Sequence, residues 1–335
     1  MKKILTTLVV SLATLVLQAQ TVSIVTAKKA TNREQYAAEY LQKKLTALGY
    51  NTLVSYDGKK KKADYHIQFV TVDPDKPLPK GYVRIGKPAK DDPAWRETYH
   101  LMSLKEQEMS IIAFDGAGLI YGAVEYADQV KHQKKLHIKP VIDKPQMVMR
   151  GTCIGLQKTV YLPGHAVYEY PYTPENFPWF YDKAEWVKYL DMMVENKMNS
   201  LYLWNGHPFA SLVKLKDYPF ALEVDEETFA KNVEMFSFLT READKRGIWV
   251  IQMFYNIILS KPFADHYGLK TQDRHRPITP LISDYTRKSI AAFIENYPNV
   301  GLLVCLGEAM ATIDDDVTWM KETIIPGIKY GLKRL

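Results

Sequence analysis

Ser200-Leu201-Tyr202-Leu203-Trp204-Asn205-Gly206-His207 reads as a short, wholly apolar strand that ends on polar residues. A helical pattern from Lys183 to Asn196 precedes it. The same order recurs on both sides. Ile248 to Tyr255 follows a helix predicted over Glu226 to Lys245, which Gly247 stops, and Val300 to Leu306 follows one over Ser283 to Asn296. Met147 to Ile154 opens the series, and a further helical segment, Asp316 to Leu332, closes it. None of the four runs alternates cleanly, which is how parallel strands buried on both faces read. Repeated strand, long loop and helix predicts an α/β chain with a (β/α)8 TIM barrel over residues 145–335, whose chemistry stands at the C-terminal ends of its strands. Four strands make about four of the eight βα units, the N-terminal half of a barrel that typically takes ~250 residues.

Upstream the pattern changes. Thr21 to Thr26 alternates like a strand, and Ala30 to Leu48 places Tyr36, Ala37, Tyr40, Leu41, Lys44, Leu45 and Leu48 at helical spacing before Gly49. Tyr50 to Tyr56, Tyr65 to Val70, Thr98 to Ser103 and Met109 to Phe114 are short strand candidates. Asp115-Gly116-Ala117-Gly118 then turns into a helix from about Leu119 to Val130. This predicts a small α/β sandwich domain over residues 21–144, its sheet covered on one face. Gly116, Gly118 and Gly122 come near a dinucleotide fingerprint, but the third glycine is one residue late and His132 to Lys139, where an acid should stand, is basic. A tight turn with close helix–sheet contact is the better reading.

Lys2 and Lys3 precede an apolar run from Ile4 to Leu17, followed by Gln18, Ala19 and Gln20, the three zones of a secretory signal peptide over residues 1–20. The run is short for a bilayer span, and no cysteine follows it, so a periplasmic or secreted protein without a membrane anchor is expected. With 47% hydrophobic and 24% charged residues the composition is ordinary and globular. A net charge of +6 over 335 residues does not call for nucleic acid, and the one dense basic run, Lys59 to Lys62 after Asp57-Gly58, reads as a solvated hairpin tip. Cys153 and Cys305 lie far apart in apolar runs, so two buried thiols are expected, with a single bridge as the alternative.

The predicted strand ends carry a polar set: Arg150 within or just after the first strand, Trp204, Asn205 and His207 at the second, Asn256 after the third and Glu308 after the fourth. Glu308 follows Leu302-Leu303-Val304-Cys305-Leu306-Gly307, where apolar neighbours would raise its pKa and keep it protonated as a general acid; a structural, Arg-paired glutamate is the alternative. Arg150 offers a planar donor fork for vicinal hydroxyls or a carboxylate, or for a structural ion pair. Asn205, Asn256 and His207 suit sugar hydroxyls, and His207 also suits a structural place. Asp314, Asp315 and Asp316 read as a helix N-terminal cluster. The loop after the first strand holds Tyr161, Tyr168, Tyr170, Tyr172, Phe177, Trp179, Phe180 and Tyr181 among four prolines, rings that can stack on pyranose faces or pack on the barrel. The chain has no C-x-x-C, H-E-x-x-H, G-x-S-x-G or P-loop lysine, so no metal or cofactor is expected.

These strand ends resemble two families. Ile142-Asp143-Lys144-Pro145 with Met149-Arg150-Gly151, the Asn196-Lys197-Met198-Asn199 approach to the second strand and Arg246-Gly247-Ile248 before the third are similar to family 20 β-hexosaminidases. Glu97 to Tyr126 resembles the small domain that precedes the barrel both there and in family 67 α-glucuronidases. The families differ at the fourth strand, where hexosaminidases carry an Asp-Glu pair and this chain has Gly307-Glu308. Thr279-Pro280-Leu281, Tyr297-Pro298-Asn299-Val300-Gly301 and Gly307-Glu308-Ala309 run in the order of the α-glucuronidases, which place Ser-Glu-Gly at the last position. The resemblance implies a secreted exo-acting glycosidase, α-glucuronidase-like, with Glu308 as general acid and Arg150, Trp204, Asn205, His207 and Asn256 binding the terminal sugar of an oligo- or polysaccharide. Its base would lie on a later strand. A hexosaminidase-like activity and a non-catalytic carbohydrate-binding protein are the alternatives.

Overall fold

Thr31 starts the first helix with a capping box: its hydroxyl accepts the Glu34 N–H, and the Glu34 carboxylate accepts the Thr31 N–H at 2.6 Å. The computed structural model to which this cap belongs describes residues 19–73, 75–76, 93–162, 165–255, 258–273, 275–306 and 310–335; the predicted signal segment falls almost wholly outside them. The first unit comprises β1 (Thr21–Val25), α1 (Asn32–Ala47), β2 (Asn51–Ser55), β3 (Tyr65–Thr71), β4 (Tyr99–Lys105), β5 (Glu108–Ala113), α2 (Gly116–Gln133) and β6 (Val141–Asp143). Its strands form one mixed sheet in the order β2-β1-β3-β5-β4-β6. Both helices bury one stripe in a core shared with it, Ala37, Leu41 and Leu45 from α1 and Leu119, Ala123 and Val130 from α2 joining Ile24, Ile67 and Ile111.

Two of the three glycines of α2 serve this packing, while Gly116 lies against Arg33 at the start of α1. A Cβ on Gly118 would stand 2.8 Å from Ala113 Cβ, and one on Gly122 2.6 Å from Ile111, so glycine lets the helix lie against the sheet. The predicted hairpin at Lys59–Lys62 is corrected. β2 and β3 lie on opposite sides of β1, each parallel to it. The exposed lysines therefore cross over β1, and Lys61 N–H donates to Ser23 Oγ at 3.0 Å.

The second unit begins with β7 (Gly151–Gly155) and a two-stranded excursion, β8 (Lys158–Leu162) with β9 (His165–Glu169). There follow α3 (Lys183–Glu195), β10 (Ser200–Trp204), α4 (Phe209–Leu212), α5 (Glu226–Lys245), β11 (Trp249–Tyr255), α6 (Lys261–His266), α7 (Pro280–Asn296), β12 (Val300–Cys305), α8 (Ile313–Trp319) and α9 (Ile325–Leu332). The sheet order β12-β11-β10-β7, every pair parallel, is that of four consecutive barrel strands. The first strand starts four residues later than its apolar run suggests. Met147, Val148 and Met149 lie outside the sheet and exposed.

Parallel register places Cys153, Tyr202, Ile251 and Gly301 in one row and Gly155, Trp204, Met253 and Leu303 in the next, on the same face. The opposite face, with Leu201, Leu203, Val250 and Phe254, is buried by the helices. No disulfide joins Cys153 and Cys305, which stand on the two outer strands; Cys153 is exposed, contrary to the expected buried thiol. α1 and α2 also touch the helices of the second unit. Arg33 pairs with Asp244 at 2.6 Å, and Tyr36 donates to Asp191 at 3.0 Å.

Candidate functional site at the strand ends

β10 delivers Trp204, Asn205 and His207 to the C-terminal end of the sheet, and they fare differently. Trp204 is half-buried in the inner row, its ring edge-on to Tyr255 with centroids 6.1 Å apart. Asn205 is buried and spends its amide on protein. Its Nδ2 donates to Leu156 O at 2.6 Å and Tyr170 O at 2.7 Å, and its Oδ1 accepts the His207 N–H at 2.8 Å. It staples the two ends of the loop after β7 to the loop after β10, which corrects the expectation that it binds sugar. His207 is corrected for the same reason: it is 3% exposed, its Nε2 lies 3.2 Å from the Tyr285 hydroxyl, and burial pushes its imidazole down to about 3. A neutral, sealed imidazole braces the loop against α7.

Arg150 is the clearest correction. Because β7 starts at Gly151, Arg150 stands at the N-terminal end of the barrel strands, away from the mouth. Its Nη2 pairs with Glu97 at 2.6 Å, Nε donates to Lys197 O at 2.9 Å, and Nη1 to Met147 O at 2.8 Å. The guanidinium also lies over the Tyr121 ring, 5.4 Å from its centroid. The Lys197 and Asn199 of the motif before β10 belong to the same cluster: Lys197 Nζ reaches Glu125 and the Tyr99 hydroxyl, each at 2.8 Å, and Asn199 Nδ2 reaches Glu97 at 2.8 Å. This cluster joins the two units. Asn256 and Glu308 lie outside the described residues.

The aromatic loop divides too. Tyr172, Phe177 and Phe180 are buried in the core, and Tyr181 donates to Asn232 at 2.5 Å. Trp179 is 43% exposed and, with Ile154, Trp186, Tyr189 and Met192, lines a cavity of about 360 Å³ beside β7. Tyr161 and Tyr168 belong to a stretch whose side chains lie outside the description. Tyr170 is buried under Gly206, where a Cβ would stand 2.6 Å from its ring, and its hydroxyl accepts from Gln272 at 2.9 Å. Asp314, Asp315 and Asp316 do occupy the first turn of α8, capped by Thr312.

Two further residues on the loops at this end carry strong electrostatics. Glu223, after β10, accepts the Lys261 N–H at Oε1 (2.6 Å), while Oε2 is buried without a hydrogen-bond partner among the described residues; burial pushes the carboxyl up to about 7. Arg276, between β11 and α7, is buried; its guanidinium donates through Nη2 to Lys270 O, and Nε and Nη1 have no partner among the described residues. Neither has a motif around it.

Parallel strands with helices outside and loops gathered at one end, behind a small α/β unit, define the barrel fold of a large class of glycoside hydrolases. No protein-family model matches the chain, and no curated protein does. Among solved structures it is similar to a GH138 enzyme targeting pectin rhamnogalacturonan II, with 60% identity and a TM-score of 0.82 over 94% of this chain and 34% of that one. It is also similar in fold to a β-hexosaminidase of Streptomyces plicatus (17% identity, TM-score 0.52) and to the GH20 β-N-acetylhexosaminidase of Streptomyces coelicolor A3(2) (16%, 0.51), each over 93% of this chain and 60% of that one. The chain thus spans about a third of the length of the GH138 enzyme.

Proposed function

We propose that this chain belongs to a secreted, exo-acting glycoside hydrolase that removes a terminal sugar from a plant cell-wall glycan of pectic type, with Glu308 as general acid. The observation that carries the reading is the 60% identity, over 94% of this chain, to an enzyme described as targeting pectin rhamnogalacturonan II. In the sequence Glu308 follows the last residue of β12 by three positions, and the C-terminal end of a barrel strand is where a carboxyl would meet a leaving oxygen. Trp204, in the inner row of the neighbouring strands, offers an apolar face to the sugar. Pectic glycans are rich in acidic sugars, which keeps a uronic acid, as in the α-glucuronidase reading, as the terminal residue of choice. The hexosaminidase reading lacks its orienting carboxylate, because Gly307 precedes Glu308.

The test is a panel of aryl glycosides and rhamnogalacturonan oligosaccharides given to the full chain and to Glu308→Gln. A lost general acid costs ~10²–10⁴-fold on poor leaving groups and far less on activated aryl groups. Equal loss on both classes overturns the acid assignment, and turnover of N-acetylhexosaminides alone favours the alternative.

A further inference from the structure

The four-stranded sheet of the second unit keeps two bare edges. Among the described residues β7 pairs only with β10 and β12 only with β11, so each outer strand offers a free row of backbone donors and acceptors. The inner face is open as well. Cys153 is exposed there and Leu303 is 41% exposed, whereas parallel sheets are ordinarily covered on both faces. Exposed apolar side chains gather at the same two margins: Met147, Val148, Met149 and Trp179 flank β7, and Ile313 and Val317 lie on α8, which follows β12.

Four strands turn through half of an eight-stranded barrel, so one further half of the same geometry closes it. We propose that this half is a second copy of the chain, related by a twofold axis along the barrel, with β12 of each copy paired parallel to β7 of the other. Two identical contacts then satisfy both edges of both copies and leave none to propagate, which is the closure a twofold gives.

The register shows that the two edges match. A barrel of this kind is staggered by about eight residues per circuit, and so by about four across each half. The sheet already drifts in that sense, since Gly155, the last residue of β7, is level with Leu303 while β12 runs on to Cys305. Carried on by about four residues, the stagger sets Cys305 opposite Cys153 of the partner subunit and Gly301 opposite the partner's Met149. All four positions face inward, because each lies an even number of residues from its neighbours in the inner rows. The arrangement gives the exposed run before β7 a place: Val148 and Met149 extend that strand along β12 of the other copy, and the thioether of Met149 meets a position with no side chain. Neighbouring strands run ~4.8 Å apart, a Cα separation that a disulfide spans.

The experiment is light scattering on the full chain after gel filtration at micromolar concentration, followed by oxidation with diamide and peptide mapping. The expected particle has twice the chain mass, and oxidation joins its two chains through Cys153 and Cys305. Cys153→Ala and Cys305→Ala each abolish the bridge and keep the doubled mass, and the two variants refolded together recover one bridge in their mixed dimers. Leu303→Lys, which sets a charge on the open inner face at the β12 edge, halves the mass. A chain that stays monomeric at every concentration leaves its edges to some other half-barrel, in the same polypeptide or a different one, and overturns the proposal. So does a dimer that oxidation joins through two copies of Cys153, through two copies of Cys305, or not at all, because β12 and β7 then do not meet in this register.

Discussion

Arg150 and Glu97 meet at 2.6 Å, joining the residue just before the first barrel strand to the small α/β unit. Asn199 holds the other carboxylate oxygen at 2.8 Å, so the barrel grips Glu97 from two sides. Removing one partner of a buried pair costs ~3–5 kcal/mol, and this one is slightly open to solvent. Arg150→Met is therefore expected to lose about 2–4 kcal/mol in urea unfolding, with sugar affinity at the far end of the strands unchanged. An unaltered midpoint, or a selective loss of sugar binding, would return Arg150 to the mouth.

Gly151, next along the chain, makes a second prediction by contrast with Gly155. A Cβ on Gly151 would stand 1.6 Å from Ser200 O, in the backbone of the neighbouring strand, whereas one on Gly155 meets nothing within 4 Å. Gly151→Ala must push β7 away from β10, at a cost of ~3 kcal/mol or more. Gly155→Ala should stay within about 0.5 kcal/mol of the parent. Melting temperatures of the two variants check this directly, and similar values would refute the strand register.

Legibility followed range. β10 and α5 were readable to the residue because an apolar run, an Asp225 cap and a glycine stop are local signals. The start of β7 was not, because Met147, Val148 and Met149 imitate a strand while remaining exposed. β6, three residues long, offers too little pattern. At the site, the end of β10 was legible as the place of Asn205 and His207, but not what they touch. Asn205 is defined by carbonyls 35 and 49 residues away, and Glu223 and Arg276 matter only because distant segments bury them. Burial of a loop side chain is a tertiary fact, and no spacing announces it.

His207 makes stability depend on pH in a defined direction. Its folded-state pKa, about 3, lies below the ordinary 6.5, so the native state resists a proton that the unfolded chain accepts. Its contribution is intact above pH 6.5 and is lost as pH falls toward 3, at up to ~1.4 kcal/mol per unit. His207→Gln, which can still meet the Tyr285 hydroxyl, should flatten the stability profile between pH 4 and 6 (roughly the span where only the unfolded histidine titrates). A profile as steep as the parent's would assign the acid sensitivity elsewhere.

Glu223 works in the opposite sense. Its folded-state pKa is raised from 4.5 to about 7, mainly by burial, with the Lys261 N–H holding it down in part. The group's stabilising contribution is complete below pH 4.5 and is lost as pH rises through 7, because the unfolded chain ionises first. Glu223→Gln keeps an oxygen for the Lys261 N–H and removes the ionisation. It is therefore expected to match the parent at pH 4 and to exceed it at pH 8 by about 1–3 kcal/mol in urea unfolding. The difference between parent and variant should open across pH 5 to 7 (about the span between the two ionisations) and stay level above it. If the variant is instead the weaker protein at pH 8, the ionised carboxylate has a favourable partner in the folded chain, and the open Oε2 is not the source of the strain.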